Sequence, residues 1–321
     1  MNSGARWRAG PDCPACRGVA TPMRMLLEGR YRLYRCRTCR TQFLRAIDGS
    51  SGESRYWGDS ERYKFRLYAS EDVRLDYERR YRRILQRLLP GTASIGSVID
   101  IGCGIGNFLA FAEAQGWKAV GFDVASKAAA EARSRNLTVY SEPEDLDRHV
   151  PDETVDLATL WDVIEHLLSP RPVLGTVARK LRPGGGLIIE TPNAAFPLRP
   201  VARGMRRFSG GRLRRLSGRL YYWEHKTYFT ARGLASLVED EGFTVAKILR
   251  ENSPRVKMSK LFEHGAAGGS SLNRFLARTW PLLDVGTRAA GLGNKLVLFA
   301  TKPTTQAPPA ARPVIASSDC F

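Results

Sequence analysis

Strand-like and helix-like segments alternate between residues 97 and 190, and this alternation restricts the fold more than any other feature of the chain. Short apolar runs predict strands, and the stretches between them repeat apolar residues at helical spacing. The predicted strands are 97–101, 118–124, 138–141, 155–161 and 187–190, and the predicted helices are 107–115, 126–135 and 172–181. This order is typical of an α/β domain in which a parallel sheet carries helices on both faces.

The flanking segments divide the rest of the chain. The predicted units are a cysteine-bearing module (1–48), a helical lead-in (49–92), the α/β domain (93–303) with insertions at 194–222 and 251–293, and a disordered tail (304–321). Periodicity predicts helices from residue 73 to Pro90-Gly91, at 231–241 and at 272–283, and strands at 243–250 and 295–301. The tail is assigned by its Pro, Ala and Ser content.

Basic residues are in marked excess. The chain has 50 Lys and Arg against 32 Asp and Glu, a formal charge of +18. This balance favours polyanions, anionic lipid surfaces or acidic small molecules as partners, and an arginine-rich genome would produce it without any partner. The sequence contains no apolar run of about 20 residues and no apolar stretch after Arg6 and Arg8. We therefore expect a cytoplasmic protein, with peripheral membrane contact as an option.

Four cysteines near the start form two Cys-x-x-Cys pairs. Cys13 and Cys16 make the first pair, and Cys36 and Cys39 follow after 19 intervening residues. Two such turns place four thiolates around a structural Zn²⁺, which leaves no position for a catalytic water. Reduced thiols in a loop, or a disulfide in a redox motif, are the alternatives. Apolar residues within 23–34 predict a small hairpin, as in a zinc ribbon.

A glycine-rich turn joins the first strand of the α/β domain to the next helix. Gly102, Gly104 and Gly106 occupy alternate positions, and Asp100 stands two residues before them. Dinucleotide sites use the spacing Gly-x-Gly-x-x-Gly, and a carboxylate here would repel a pyrophosphate. The turn therefore favours a positively charged ligand, such as an ammonium beside a sulfonium. Asp123 ends the next strand and suits ribose hydroxyls, which leaves a nicotinamide nucleotide as the weaker alternative.

An ordered series of motifs extends over roughly residues 75–301. It consists of Asp100-x-Gly102-x-Gly104-x-Gly106, Gly121-Phe-Asp123, Glu144-Asp-Leu146, Asp162-Val-Ile-Glu165-His166-Leu, Leu181-Arg-Pro-Gly-Gly185, Glu190-Thr-Pro-Asn193 and Glu224-His225-x-x-x-Phe229. The series resembles the class I S-adenosylmethionine-dependent methyltransferases, closest to the branch of the ubiquinone-pathway O-methyltransferases. The resemblance implies a Rossmann-like doubly wound sheet of about seven strands whose last strand is antiparallel.

The resemblance also implies how S-adenosylmethionine is held. In such enzymes the glycine loop wraps the methionine part of the cofactor, and Asp100 would order its ammonium. Asp123 would hold the ribose, and the neighbouring Val124 is also expected to bind the cofactor. The expected loop residues are Asp100, Ile101, Gly102, Cys103, Gly104 and Gly106, with Cys103 as a small apolar filler.

Two further positions follow from the resemblance. Glu142 would receive the adenine amino group, although Glu144 and Asp145 lie close by and a solvated loop acid is an equal alternative. Trp161 and Asp162, which follow the fourth strand, would face the cofactor.

Histidine is rare in this chain, and two of its four histidines, His166 and His225, lie in the motifs. An oxygen acceptor must lose a proton, and histidine suits that task near neutral pH. We expect His225 to be the base and His166 to position the acceptor, with structural hydrogen bonding as the alternative for each. Asp162, Glu165 and His166 also suit either a divalent cation or a simple helix cap.

The insertion 194–222 carries eight arginines and no acidic residue. It lies where enzymes of this fold commonly have a lid that covers the acceptor. Aromatic residues lie near it in the sequence. Its chemistry suits a phosphorylated or carboxylated acceptor, an anionic membrane or RNA, and a mobile basic loop is the alternative. We expect methyl transfer to a hydroxyl of a small-molecule, glycan or lipid-linked acceptor. An RNA-modifying enzyme is the weaker alternative, since Trp161-Asp162-Val163-Ile164 stands where such enzymes carry Asn/Asp-Pro-Pro-Tyr.

Overall fold

The computed structural model of the chain describes residues 10–48, 67–89, 95–200, 221, 224–264, 278–279, 282, 284–287 and 290–304. Eleven strands lie within these ranges: β1 (Ala20–Leu27), β2 (Tyr31–Cys36), β3 (Gln42–Ala46), β4 (Ser97–Ile101), β5 (Lys118–Phe122), β6 (Val139–Tyr140), β7 (Val155–Trp161), β8 (Leu181–Pro192), β9 (Thr227–Tyr228), β10 (Thr244–Glu251) and β11 (Lys295–Thr301). The longer helices are α1 (Glu71–Leu88), α2 (Asn107–Glu113), α3 (Ser126–Ser134), α4 (Pro143–His149), α5 (Pro170–Lys180), α6 (Ala231–Asp240) and α7 (Arg255–His264).

A seven-stranded sheet forms the centre of the α/β domain, in the order β10-β11-β8-β7-β4-β5-β6. Strands β4 to β8 pair in parallel, and β11 runs antiparallel to both β8 and β10. The predicted Rossmann-like sheet with an antiparallel last strand is therefore confirmed. Strand β4 lies between β5 and β7, so later strands are added to the sheet on both sides of β4. Such a reversal of strand order opens a crevice at the carboxyl ends of the strands.

Helix α1 belongs to the predicted lead-in and covers part of this crevice. Its apolar residues recur every three or four positions, and the buried ones form a single face. This face includes Tyr77, Tyr81 and Ile84, and it packs on helix α2. Helix α7 also packs against α1. The sequence pattern assigns the residues of α7 only to a long connection. Helix α4 is not predicted from the sequence either. It is short and consists mostly of charged residues, so it shows no apolar periodicity.

Strand β8 is longer than the predicted 187–190 strand. Its first residues, Arg182-Pro183-Gly184-Gly185, have the composition of a turn. Leu181, before these four residues, pairs with Val155, and Gly186, after them, pairs with Leu157. The register shift between the two pairs absorbs the irregular segment, so one strand extends across it. The predicted helix 272–283, most of the insertion 194–222, the first part of the lead-in (49–66) and the tail from 305 lie largely outside the described residues.

The cysteine-bearing module is an antiparallel sheet in the order β1-β2-β3-β9. The first two strands confirm the predicted hairpin. The fourth strand comes from a distant part of the sequence, since Gln42 and Phe43 pair with Tyr228 and Thr227. The module and the α/β domain therefore share a strand.

A helix that crosses a bilayer must be both long and apolar. In the part of the chain that the structure describes, no helix combines these two properties.

Candidate active site

A cavity of about 210 Å³ opens at the carboxyl ends of β4, β5 and β7. Among the residues expected at the cofactor and acceptor sites, its lining includes Asp100, Gly102, Cys103, Gly104, Asp123, Val124, Trp161, Asp162 and His166. These residues come from three segments, at the carboxyl ends of β4, β5 and β7. The parallel register brings them together, since Asp100 pairs with Gly121 on one side and Thr159 on the other.

The glycine turn has three residues with positive φ, a conformation that favours glycine. A Cβ at Gly102 would lie 2.4 Å from Val163 Cγ2, and one at Gly106 would lie 2.4 Å from Leu137 Cδ1. Gly104 differs, because a Cβ there would meet nothing within 4 Å. Two of the glycines therefore allow close packing of the turn, whereas Gly104 leaves space on the cavity side.

Asp100 is buried at the floor of the cavity, with only 2% of its surface exposed. The Thr159 hydroxyl donates a hydrogen bond of 2.6 Å to Asp100 Oδ1. Burial raises the pKa of Asp100 to about 8, and the nearby Asp123 carboxylate adds to this effect. A bound cation would reverse this shift by favouring the ionised carboxylate.

Asp123 is held rigidly at the end of β5. Its Oδ2 accepts a hydrogen bond of 2.7 Å from the Gly104 amide, and its Oδ1 accepts one of 2.8 Å from the Ala125 amide. Burial raises the pKa of this carboxyl above its ordinary value. Each carboxylate oxygen has a second lone pair, so both can still accept a hydrogen bond from a hydroxyl.

Aromatic rings form one wall of the cavity. The Trp161 ring lies 4.8 Å from that of Tyr81 and 5.3 Å from that of Phe108. Tyr68 and Tyr77 continue the wall toward α7. The sequence predicted helix α1 from a repeat that includes Tyr77 and Tyr81, but it gave no reason to place these two tyrosines in a binding site, because their spacing also suits an ordinary core face.

Asp162 marks the end of β7 and adopts a positive φ of 58°, which is uncommon for a residue with a side chain. It forms an ion pair with Lys295 and lies 3.9 Å from the Lys257 ammonium. Burial opposes ionisation of Asp162, but these two ammonium groups lower its pKa. Both lysines come from the last part of the chain, and no motif identified them.

The two histidines expected at the acceptor site are neighbours. The ring centroids of His166 and His225 lie 4.7 Å apart, and His166 Nδ1 is 3.2 Å from the Glu224 carbonyl oxygen. Burial, with the nearby His166 and several cations, lowers the pKa of His225 well below the usual value for histidine. Glu165 lies within 4.8 Å of both rings, and burial together with the Asp162 charge raises its pKa to about 8.

Comparison with known proteins agrees with this geometry. A family model described as a methyltransferase domain matches residues 73–248. The chain belongs to the class I S-adenosylmethionine-dependent methyltransferases. A ubiquinone biosynthesis O-methyltransferase of Xanthomonas campestris is 30% identical over an alignment of 167 positions. This alignment covers 48% of this chain and 65% of the relative, slightly less than two thirds of the relative's length.

Two further comparisons place this methyltransferase among more distant proteins. A probable S-adenosylmethionine-dependent methyltransferase of Mycobacterium tuberculosis is 28% identical over 213 residues, 65% of this chain and 72% of the relative. A chain of the solved complex that contains the Trm112 methyltransferase activator of Haloferax volcanii superposes with a TM-score of 0.52 at 17% identity. That alignment covers 80% of this chain and 100% of the other, and it shows the fold alone.

The cavity of this methyltransferase fits S-adenosylmethionine. The buried Asp100 requires a positive charge to ionise near neutral pH, the space beside Gly104 allows a ligand to approach the backbone, and Asp123 keeps further lone pairs for hydroxyls. Glu142 lies exposed before α4 and does not line the cavity, and neither Ile101 nor Gly106 contributes to its lining. Their predicted contacts with the cofactor remain predictions.

The four cysteines of the methyltransferase lie close together, with all four sulfur atoms within 4.8 Å of one another. The Sγ atoms of Cys13 and Cys39 are 3.6 Å apart, and those of Cys16 and Cys36 are 3.5 Å apart. A disulfide bond would bring two sulfurs to about 2.05 Å. Ligands of a tetrahedral Zn²⁺ with Zn–S bonds of about 2.3 Å are separated by about 3.8 Å. The observed spacing therefore fits a zinc site.

The two cysteine turns also have the same backbone pattern. The Cys13 amide donates to the Gly18 carbonyl, and the Cys36 amide donates in the same way to the Thr41 carbonyl. Arg17 and Arg40, each directly after the second cysteine of its pair, both have positive φ. This repeated geometry gives each turn two inward-facing sulfurs.

Proposed function

We propose that the chain is an S-adenosylmethionine-dependent methyltransferase that acts on a hydroxyl oxygen of a small-molecule, glycan or lipid-linked acceptor. The observation that carries this proposal is a cavity that extends from the glycine turn to His166, whose ring in turn contacts that of His225. One end of this cavity offers buried carboxylates for a cationic donor, and the other end offers the His166 imidazole, with the His225 ring packed against it. No observation on the described residues favours the RNA alternative.

On the donor side, the chain's own residues bind and orient. Bound S-adenosylmethionine supplies a methyl group that its sulfonium has already activated. Asp100 would hold the donor's ammonium, and Asp123 would accept hydrogen bonds from its ribose. Tyr81, Phe108 and Trp161 line the cavity, and their rings would help to exclude water from the donor and would offer π electrons to its positive charge. Holding both reactants in line can lower the activation free energy by about 7–11 kcal/mol.

On the acceptor side, the protein moves a proton. His225 would accept the proton of the acceptor hydroxyl while the new O–CH₃ bond forms and the C–S bond breaks, with the electron pair remaining on sulfur. Its lowered pKa keeps the imidazole neutral at physiological pH, which is the form that accepts a proton. His166 would orient the acceptor, since it lines the cavity directly.

Two features support the acceptor class. The matched Xanthomonas relative is named as an O-methyltransferase of ubiquinone biosynthesis, which favours an oxygen acceptor. The formal charge of +18 and the arginine-rich segment 194–222 favour an acceptor that is anionic or attached to an anionic membrane. We also propose that Cys13, Cys16, Cys36 and Cys39 bind one structural Zn²⁺.

Calorimetry with the purified chain tests the donor. We expect S-adenosylmethionine and S-adenosylhomocysteine to bind with one site per chain and NAD not to bind. Binding of NAD in place of both would refute the proposal. The acceptor class is then sought with methyl-labelled donor and fractionated cell extract, where products gain one methyl group in mass.

Substitution at the acceptor end tests the proposed base. His225→Gln should lower the methyl-transfer rate by about 10²–10⁴-fold and leave the dissociation constant of S-adenosylhomocysteine unchanged. His149→Gln is the matched control, because the His149 ring stacks on Tyr140 and His149 belongs to none of the motifs. Equal rates for the two variants would remove His225 from the mechanism.

A further inference from the structure

The strand β9 is held by the cysteine module although it belongs to the α/β domain in sequence. Besides its ladder with β3, the Leu44 amide donates a hydrogen bond of 2.8 Å to the Lys226 carbonyl. Phe43 and Tyr228 are fully buried at this junction. The segment directly after His225 is therefore held on one side by a sheet that starts near residue 20.

Successive side chains of this segment point in opposite directions. The Lys226 ammonium is buried 5.0 Å from the ring centroid of Tyr31, a residue of β2 in the module. His225, one residue earlier, lies against His166. The Thr227 amide donates to the Glu165 carbonyl at 3.1 Å, so the segment is held from both sides. A shift of the module would move His225 relative to His166.

The second cysteine turn also contacts the start of α6. Thr230 Oγ1 donates a hydrogen bond of 2.6 Å to the Cys39 carbonyl and accepts one from the Gly233 amide. A Cβ at Gly233 would lie 2.0 Å from Thr41 Oγ1 and 3.2 Å from Cys39 Sγ. Helix α6 can approach the cysteines this closely only because residue 233 is glycine, so the geometry of the turn is transmitted to the residues that follow His225.

We propose that the cysteine module is a positioning element of the acceptor site. With zinc bound, its third strand fixes β9 and thereby sets His225 against His166, while the donor site is built without it. This inference rests on the proposed function, because it concerns the histidine that would act on the acceptor. It predicts that loss of zinc disturbs the two histidines and spares donor binding.

The few histidines of the chain permit a direct test by NMR. In full-length protein labelled at the histidine rings, removal of zinc by a chelator should shift the ring signals of His166 and His225. The signal of His149 serves as the internal reference, because its ring stacks on Tyr140 beside α4. Calorimetry on the same samples should show that the dissociation constant of S-adenosylhomocysteine changes by less than about twofold.

A pair of glycine variants tests the same coupling with zinc in place. Gly233→Ala forces α6 away from the second cysteine turn and should shift the His166 and His225 signals. Gly175→Ala is the matched control, since Gly175 is a helical glycine whose Cβ would meet nothing within 4 Å. It should leave every histidine signal unchanged.

Several results would overturn the inference. Unmoved His166 and His225 signals in the zinc-free protein and in Gly233→Ala would show that the module does not position them. Loss of S-adenosylhomocysteine binding together with zinc would show that the module supports the whole fold and not the acceptor end alone. Failure of the zinc-loaded wild-type protein to bind S-adenosylhomocysteine would instead refute the proposed function, so the two failures are distinguishable.

Discussion

Asp100 is a carboxyl group that the fold removes almost completely from water. Its only direct compensation among the described contacts is the Thr159 hydroxyl, and burial therefore raises its pKa to about 8. A neutral Asp100 stabilises the fold at low pH, and this contribution is lost as pH rises through its folded pKa near 8. Binding of a cationic donor instead favours the ionised carboxylate of Asp100.

The affinity for the donor should accordingly depend on pH. We expect the dissociation constant of S-adenosylmethionine to fall as pH rises through about 8, the pKa of Asp100. Asp100→Asn keeps an acceptor for the Thr159 hydroxyl but carries no charge, so its binding should be weaker and nearly independent of pH. Calorimetry between pH 6.5 and 8.5 measures both proteins, and identical pH profiles would contradict the assignment of Asp100.

The glycines of the turn give a second prediction at this scale. Gly104 and Gly116 both have positive φ and open space where a Cβ would lie, but only Gly104 lines the cavity. Alanine at either position should cost about 1–2 kcal/mol of folding stability, because both backbones are left-handed. Only Gly104→Ala should also weaken the binding of S-adenosylhomocysteine. Equal affinities in the two variants would show that no ligand approaches the turn.

The decrease of the methyl-transfer rate at low pH tests the role of His225. Because burial lowers its pKa in the folded protein, the methyl-transfer rate should begin to fall only well below about pH 6.5, the ordinary value for histidine. A rate that falls with a midpoint above the ordinary value would assign the proton transfer to another group. Rates measured from pH 5 to 8 with a saturating donor distinguish the two outcomes.

At the scale of the elements, helix α1 is tied to the centre of the sheet by a buried ion pair. Arg80 on α1 contacts Glu190 on β8, and Arg80 Nε also donates a hydrogen bond of 3.2 Å to the Asn252 carbonyl. Both charged side chains are almost fully buried. This pair holds the aromatic wall of α1 over the cavity and joins three separate segments of the chain.

Breaking this pair should be costly. Arg80→Met leaves the Glu190 carboxylate buried without its partner and should lower the free energy of unfolding by about 3–5 kcal/mol. The double variant Arg80→Met/Glu190→Leu should be less destabilised than this single variant, because no isolated charge remains. Denaturant unfolding of the wild type and both variants measures these differences.

A half-buried arginine of the same helix provides the control for this experiment. Arg74 pairs with Glu78 on the surface of α1, so Arg74→Met should change stability by less than about 1 kcal/mol. A similar loss for Arg74→Met and Arg80→Met would mean that burial does not determine the cost.

At the scale of the whole molecule, the two sheets are joined by β9 and by the core that surrounds the cysteines. Cys13, Cys36 and Cys39 belong to the same buried cluster as Leu234 and Leu237 of α6. The proposed zinc site therefore stabilises a junction between domains, since zinc binding and local folding are coupled.

The metal content tests this view of the molecule. Mass spectrometry under native conditions should find one zinc per chain, and chelation should lower the melting temperature. Cys36→Ser should lose the metal, whereas Cys103→Ser should retain it, because Cys103 lies in the glycine turn and not among the four clustered sulfurs. Zinc-free wild-type protein with an unchanged melting temperature would exclude a structural metal.

Local sequence patterns predicted most strands and helices of the α/β domain, the hairpin of the module and the set of residues around the glycine turn. These features depend on neighbours in sequence, such as the apolar run that ends in Asp100 and the glycines that follow it. The ordered motifs also predicted that His166 and His225 share one site, and the structure places their rings in contact. The patterns did not predict α7, Lys295 or the long form of β8, which depend on partners far away in the chain.

The sequence by itself determined the order of the elements, the positive φ of the glycine turn and the pairing of the cysteines into two turns, because these follow from local spacing and side-chain chemistry. Only the tertiary structure decided that β9 completes the sheet of the cysteine module, that Arg80 lies buried against Glu190 and that Lys295 pairs with Asp162. Each of these contacts joins residues more than 100 positions apart. Burial and strand pairing determine which distant residues come into contact, and the periodicity of a single sequence describes only neighbouring positions.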